Sequence, residues 1–416
     1  MVDVAEIDHG KDVDERTRRI REELNWFQRR HTATGSANES ERSTTIELRK
    51  NIERLEREYA EILRRNHAKN RSGILSGIDL NIDEFRERLG DATAVEFITL
   101  DGKISVFVIS KHDFSAVRDY LDEGELNAAI DQYLFQVNTG RFFGRLSPSD
   151  QISALERLKI RSKKLFEMIF KPIEHLIGSE RIVVLASGKM HTLPFHSLFD
   201  GQEFLCERAV VSYSPSLSLL NEKLGTLPCN RRTALIAGVA DSVIPLANVE
   251  IAEVSRYFER AVCLSGSEAT ISSIRDSLPG NRVFHLSCHG QFRPDNPSFS
   301  SLGLFNEKMT ANDVRTLPLE RCIVVLSSCE GAINEVVRGE ELIGLTGAFF
   351  AAGASTLIHS LWRVNDEAAL ELMVEFYKGF AAGSDPAKAL NRAQLRMIER
   401  GEDPYLWAPF IVTGGW

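Results

Sequence analysis

A histidine and a cysteine at the ends of two short apolar runs are the residues of this sequence best suited to covalent chemistry. The first run, Val283-Phe-His-Leu-Ser-Cys-His-Gly290, carries His289; the second, Ile323-Val-Val-Leu-Ser-Ser-Cys-Glu-Gly331, carries Cys329. A thiolate attacks carbon where a thiol does not, and a free cysteine near pKa ~8.5 is mostly protonated at neutral pH. It therefore needs an imidazole within hydrogen-bond reach to take its proton, and the same imidazole can later protonate a leaving amine. Neither run alternates with period two, which fits parallel strands covered on both faces. Reactive groups of open α/β sheets collect beyond the carboxyl ends of the strands. His289 and Cys329 meet there if the two strands are neighbours. Gly290 adds a position without Cβ, where the backbone can approach a substrate closely.

The surrounding elements should position that pair. From residue 233 strands and helices alternate: strand Ala234–Val239, helix Ala247–Phe258, strand Val262–Leu264, helix Thr270–Leu278, then the two runs above, with a loop and a short helix near Ala311–Leu317 between them. Helix Leu342–Ala352, strand Thr356–Leu361, helix Asn365–Phe380 and helix Pro386–Ile398 follow, the last opened by Asp385 as N-cap and Pro386 at N1. Such alternation implies a largely parallel sheet. Upstream, a short helix at Asp83–Leu89 precedes strands Ala94–Leu100 and Ile104–Ile109, joined by the hairpin signal Asp101-Gly102. Helices are expected at Glu123–Thr139 and Pro148–Leu176, before strand Ile182–Ala186.

Residues 1–90 differ in kind. Asp14–Arg30 and Thr44–Asn66 are rich in Glu, Arg and Leu, with apolar residues at helical spacing and the polar break Thr32-Ala-Thr-Gly-Ser between them. Two antiparallel helices are the simplest reading. They either bury their apolar stripes within this chain or serve as a docking handle for a partner or second copy. No 34-residue tetratricopeptide period is present.

Composition sets further bounds. The 416 residues suffice for two or three domains. A net charge of −9 argues against a general nucleic-acid binder. Met-Val-Asp-Val-Ala-Glu at the start is no signal sequence, so the expectation is a cytoplasmic chain. The uncharged stretch Leu342–Trp362 has transmembrane length, but glycines interrupt it; a buried helix, a turn and a central strand are expected instead of a membrane span. The six cysteines, at 206, 229, 263, 288, 322 and 329, show no Cys-x-x-Cys spacing and read as reduced thiols, with Cys322 inert at its strand start. Alternation sends Cys288 away from the face shared by His285 and His289, which argues against a metal site. His191 and His196 could act as ligands or bases, but histidines beside a Pro-Phe turn are more often structural. Gly-x-Gly-x-x-Gly is absent, and Ser187-Gly-Lys lacks the earlier glycine of a phosphate loop. No cofactor is expected.

Strand–Cys-His-Gly followed by strand–Ser-Ser-Cys-Glu-Gly resembles the caspase–separase clan of cysteine peptidases. Gly339-Glu-Glu-Leu-Ile-Gly, Phe349-Phe-Ala-Ala-Gly-Ala, Leu361-Trp-Arg-Val-Asn-Asp366, Phe376-Tyr377 and Trp407-Ala-Pro-Phe410 resemble its CHAT branch, the bacterial relatives of caspases and separases. Leu193-Pro-Phe and Ser214-Pro-Ser also look like segments of that family, and the likeness runs from roughly Phe85 to Trp416. The resemblance implies a caspase-like, mostly parallel sheet flanked by helices: an active lobe at 231–416, a pseudo-caspase lobe without a dyad at 91–230, and the helical hairpin at 1–90. It implies Cys329 as nucleophile, His289 as general base and acid, and the N–H groups of Gly290 and Cys329 as an oxyanion hole. Relatives build the S1 pocket partly from the segment that corresponds to Trp362–Asp366. Asp366 resembles the acid that receives a basic P1 side chain in separases; equally, Asn365 or Asp366 caps the helix that follows. Glu330 is either a further cation contact or a solvated loop carboxylate. Arg338-Gly339 is either a self-cleavage point or part of an ordinary mobile loop.

The function so implied is a cysteine endopeptidase. Its target would be a specific protein in bacterial defence or regulated signalling, for example a gasdermin-like or CRISPR-linked effector. Activation by a protein partner through residues 1–90 is the matching expectation. The alternative is a partner-regulated scaffold that keeps the dyad without efficient turnover.

Overall fold

The structure, a computed structural model, describes residues 19, 20, 23, 50, 51, 54 and 55, and residues 81–416 except 229–230, 243, 292–298 and 328–339; for residues 340–343 it describes the backbone alone. The chain divides into two units, Met1–Asp79 and Leu80–Trp416. In the first, the described residues are helical, and Ile20 and Leu55 are buried. The rest of the two expected N-terminal helices lies outside the described residues.

The second unit begins with α1 (Ile82–Leu89), a meander of β1 (Thr93–Leu100), β2 (Lys103–Ile109) and β3 (Phe114–Asp122), then α2 (Glu123–Thr139) and α3 (Pro148–Ile169). β4 (Arg181–Leu185), the short α4 (Leu205–Arg208), β5 (Val210–Tyr213) and α5 (Leu217–Lys223) complete its first half. Asp101 and Gly102 both have positive φ, 49° and 74°, which matches the right-handed twist of the β1–β2 hairpin they close. The helix expected to reach Leu176 ends at Ile169 and resumes as a separate 3-10 turn, Glu174–Leu176. Pro172 stands between them, and its missing N–H and fixed ring cannot continue the ladder.

The second half runs β6 (Thr233–Gly238), α6 (Ala247–Ser255), β7 (Arg260–Ser265), α7 (Ile271–Ser277), β8 (Val283–Ser287), and the small strands β9 (Gly290–Gln291), β10 (Ser301–Leu304) and β11 (Glu307–Thr310). It continues with α8 (Ala311–Arg315), β12 (Ile323–Leu326), α9 (Glu340–Ala351), β13 (Thr356–Ser360), α10 (Asp366–Ala381), α11 (Pro386–Glu399), α12 (Pro404–Trp407) and β14 (Phe410–Gly414). The N-caps are those that the sequence suggests: Asn365 accepts from Ala368 N–H at 3.0 Å, and Asp385 from Lys388 N–H at 3.0 Å. The uncharged stretch divides into α9, a turn at Gly353 with φ of 101°, and the fully buried β13. Among the described residues no helix is long and apolar enough to cross a membrane.

Both halves contribute to one eleven-stranded sheet in the order β3-β2-β1-β4-β5-β14-β13-β12-β8-β6-β7. Pairing is parallel except for β1–β2, β2–β3 and β13–β14. A single register pair, Thr413 with Tyr213, joins the halves. The inner strands are buried along almost their whole length because helices cover both faces. One face buries Val283, Ile323 and Val325 with side chains of α10 such as Met373 and Phe376; the other buries Phe284, Leu286 and Val324 with Phe349 of α9.

Candidate active site

β8 and β12 are neighbours in parallel register, with Val283 opposite Ile323 and Leu286 opposite Leu326. Beyond the last pair, Ser327 N–H donates to Leu286 O at 3.1 Å, so the ladder continues past the strand ends. His289 follows at once on the β8 side and is half-buried. Cys329 lies outside the described residues, as do Glu330 and Arg338.

The small sheet shapes the backbone beside the histidine. Gly303 N–H donates to His289 O at 2.7 Å, and Gly290 pairs with Leu302 one step further on. In an antiparallel ladder, hydrogen-bonded and non-bonded pairs alternate. The bond at His289–Gly303 makes Gly290–Leu302 a non-bonded pair, so the Gly290 N–H is directed away from β10. A Cβ on Gly303 would come within 3.1 Å of His289 O, so glycine there lets β10 approach.

Cys288 faces the other way, buried in the apolar cluster with Leu286 and Leu302. His285 is wholly buried, with Nδ1 3.1 Å from Tyr377 OH and Nε2 3.1 Å from Glu250 Oε1. Among the described residues no group of three or more histidine, cysteine or acidic side chains could hold a metal ion. Burial pushes the Cys322 thiol up to about 12, and burial likewise raises the Cys206 and Cys263 thiols. A thiol raised in this way is a poor nucleophile.

Asp366 opens α10 half-buried, but Asn365 supplies the cap. The Asp366 carboxylate instead accepts from Leu246 N–H at 2.7 Å, before α6. Burial holds its pKa above the usual carboxylate range, opposed by that N–H and reinforced by the negative charges of Glu250, Asp241 and Glu367. A cation beside it would relieve both penalties. Trp362 is 6% exposed; its ring stacks on Tyr405 and its Nε1–H donates to Tyr405 O at 3.1 Å. Its indole can wall a pocket but offers a substrate little surface.

The two loop histidines separate. His196 is buried, with Nδ1 3.0 Å from Tyr213 OH and Nε2 3.1 Å from Gln394 Nε2, and burial lowers its pKa to about 3. His191, also lowered by burial, lines a cleft with Tyr213, Thr346, His359 and Thr413 at the seam of the two half-sheets. Neither His289 nor Asp366 lines that cleft. Sequence reasoning gave no role to Glu250 or Ser287 and met Tyr377 only as part of a family motif, since a glutamate on an amphipathic helix reads as a solvated one.

A family model, CHAT domain, matches residues 159–415, beginning later than the Phe85 suggested by the sequence motifs. Tetratricopeptide repeat protein 28 of Homo sapiens is 25% identical over 354 residues, covering 67% of this chain and 14% of that protein. Its counterpart in Mus musculus is 25% identical over 358 residues with the same shares. The chain thus spans about one seventh of the length of these relatives. Among solved structures, separase of Saccharomyces cerevisiae in complex with securin superposes with a TM-score of 0.54 at 10% identity, covering 80% of this chain and 31% of separase. The Arg-specific cysteine proteinase gingipain R aligns with a TM-score of 0.40 at 11% identity, covering 62% of this chain and 67% of that one. The fold is therefore the caspase-like α/β fold of separase.

Proposed function

From the premise that this chain belongs to the CHAT-domain family, we propose that it is a cysteine endopeptidase with Cys329 as nucleophile and His289 as base. The observation that carries this reading is the parallel pairing of β8 and β12, the two strands that lead to these residues. In the proposed cycle His289 takes the Cys329 proton, and the sulfur attacks the peptide carbonyl carbon. The oxyanion that forms is held by the N–H groups of Gly290 and Cys329. The C–N bond breaks as the imidazolium protonates the amine. His289 then deprotonates a water that cleaves the thioester, which releases the acid and restores the thiol. The orientation of the Gly290 N–H away from β10 supports its part in this scheme.

Asp366 is the proposed S1 anion for a basic P1 side chain, with Trp362 as a wall. Its raised pKa and acidic neighbours support that choice, since both disfavour an unpaired carboxylate. The proposed target is a specific protein in bacterial defence or regulated signalling, such as a gasdermin-like or CRISPR-linked effector, and residues 1–90 are the proposed dock for a regulatory partner. Separase was solved with the protein securin bound, which makes protein partnership a sensible expectation for this fold. A scaffold role without turnover is the second reading. It is favoured by the tetratricopeptide relatives, in which the matching region is a small part of a long chain. Cleavage of a P1-varied fluorogenic peptide library decides: activity abolished by iodoacetamide at Cys329 and lost in Cys329→Ala supports the peptidase, whereas full cleavage by that variant sinks it.

A further inference from the structure

A buried polar chain lies directly behind the strand that leads to His289. Glu250 of α6 is 1% exposed, and its Oε2 accepts from Ser287 Oγ at 3.0 Å. Its Oε1 stands 3.1 Å from His285 Nε2, and His285 Nδ1 stands 3.1 Å from Tyr377 OH. Ser287 O–H donates to Oε2 and Tyr377 O–H is placed to donate to Nδ1, whereas Nε2 and Oε1, though 3.1 Å apart, make no aligned hydrogen bond. The rest of this face is apolar, with Ile236, Val283 and Val325 around the four side chains.

Stability alone is a poor account of such a chain, because a buried polar network can often be replaced by apolar side chains at little or no cost. Its location offers a better one. Ser287 is the last residue of β8, two positions before His289. Besides the Glu250 bond, its carbonyl accepts from Val239 N–H at 3.1 Å. A Cβ on Gly238 would fall 2.8 Å from that same oxygen, so β6 closes tightly on it. Ser287 is thus held by α6 through its side chain and by β6 through its backbone.

We propose that Glu250, with Ser287 and His285, is a positioning group that fixes the end of β8 and so the direction in which the His289 imidazole leaves the sheet. This rests on the dyad reading above. Glu250 touches neither substrate nor the reacting atoms; it acts by narrowing the geometries open to the base, and misplacement of about an ångström can cost about a hundredfold in rate.

The test compares Ser287→Ala, Glu250→Gln and Glu250→Met in the full chain. It reads kcat and KM on a cleaved peptide, the iodoacetamide alkylation rate of Cys329 by peptide mass mapping, and the thermal unfolding midpoint. Ser287→Ala should lower kcat about tenfold with KM within about twofold, and Glu250→Met about a hundredfold, while Glu250→Gln, which keeps hydrogen-bonding groups at both positions, should stay within about threefold of wild type. An unchanged kcat in folded Ser287→Ala and Glu250→Met overturns the proposal; if Glu250→Met does not fold, Ser287→Ala decides. If the wild type cleaves no peptide, the peptidase reading fails separately and alkylation decides instead. Cys329 should then react more slowly in Ser287→Ala than in wild type, approaching its rate in His289→Ala, and equal rates in Ser287→Ala and wild type overturn the positioning role.

Discussion

Leu286 and Leu326 form the last register pair shared by β8 and β12, side by side in parallel strands inside the sheet. His289 and Cys329 stand at equal offsets beyond those leucines in the sequence. The proposed dyad brings their Cα atoms within reach of a disulfide. The variant His289→Cys should therefore cross-link to Cys329 under mild oxidation, and non-reducing peptide mapping should find the bridged pair. Gln291→Cys, on β9 opposite Ser301, serves as the control and should not cross-link. A His289→Cys chain that stays reduced would rule out the proposed juxtaposition.

Asp366 makes a prediction about substrate and pH together. A guanidinium or ammonium paired with a half-buried carboxylate gains about 1.5–3 kcal/mol, about ten- to a hundredfold. Asp366→Asn should lose that factor in kcat/KM for Arg or Lys at P1 and change neutral P1 residues little. Its pKa is raised, so the preference for a basic P1 should fade on acidification at a pH above the ordinary carboxylate range, and return as pH rises. The measurement is kcat/KM for paired P1-Arg and P1-neutral peptides across pH. A preference for a basic P1 that is unchanged in Asp366→Asn would exclude the S1 role.

Much of this architecture is legible before any coordinates. The β/α rhythm after residue 233, the Asp101-Gly102 hairpin and the caps at Asn365 and Asp385 depend on neighbours within a few positions, which is what a sequence displays. β3 escapes because it is the sheet edge: only Leu121 of it is buried, and Arg118, Asp119 and Asp122 break the apolar pattern that marks a strand. β14 escapes for the opposite reason. It is short, wholly buried and uniform, so no period shows, and its place between β13 and β5 depends on partners far away in the chain. Trp362 looks like a pocket residue by position, yet its N–H goes to Tyr405 O and its ring to the core. Glu250 shows the same limit, since only the arrival of Ser287 from another strand reveals that it is buried.

Asp403 gives a stability prediction with a definite sign. It is 2% exposed, its carboxylate accepts from Tyr405 N–H at 2.8 Å, and burial raises its pKa to about 6. The folded chain thus holds this proton more tightly than the unfolded one, so between about pH 4 and 6 the unfolded state binds fewer protons and stability falls as pH rises. Asp403→Asn keeps a helix-capping side chain and removes the buried charge. At pH 8 it should be more stable than wild type by about 1–3 kcal/mol in urea unfolding, with a flatter profile between pH 4 and 6. A loss of stability at pH 8 would contradict the assignment.

His196 and His359 should act in the opposite sense. Burial lowers their pKa values to about 3 and about 4, so both stay neutral in the folded core at pH values where the unfolded chain is already protonated. Their contribution is complete above the unfolded pKa near 6.5 and is lost progressively as pH falls toward the folded values. From pH 6.5 to 4.5 each should cost about 2–3 kcal/mol, while protonation of Asp403 gives back up to about 2 kcal/mol over the same range. His359 lies in β13, where its Nε2 is 3.4 Å from Thr413 Oγ1, and His196 binds Tyr213 and Gln394. Acid should therefore act on the strands that join the two half-sheets. His196→Asn should be less stable than wild type at pH 7, since it leaves Gln394 or Tyr213 without its partner, yet lose less on going to pH 4.5. Denaturant unfolding at the two pH values measures both quantities. An acid loss in His196→Asn as large as in wild type would show that this buried imidazole does not govern the acid limb.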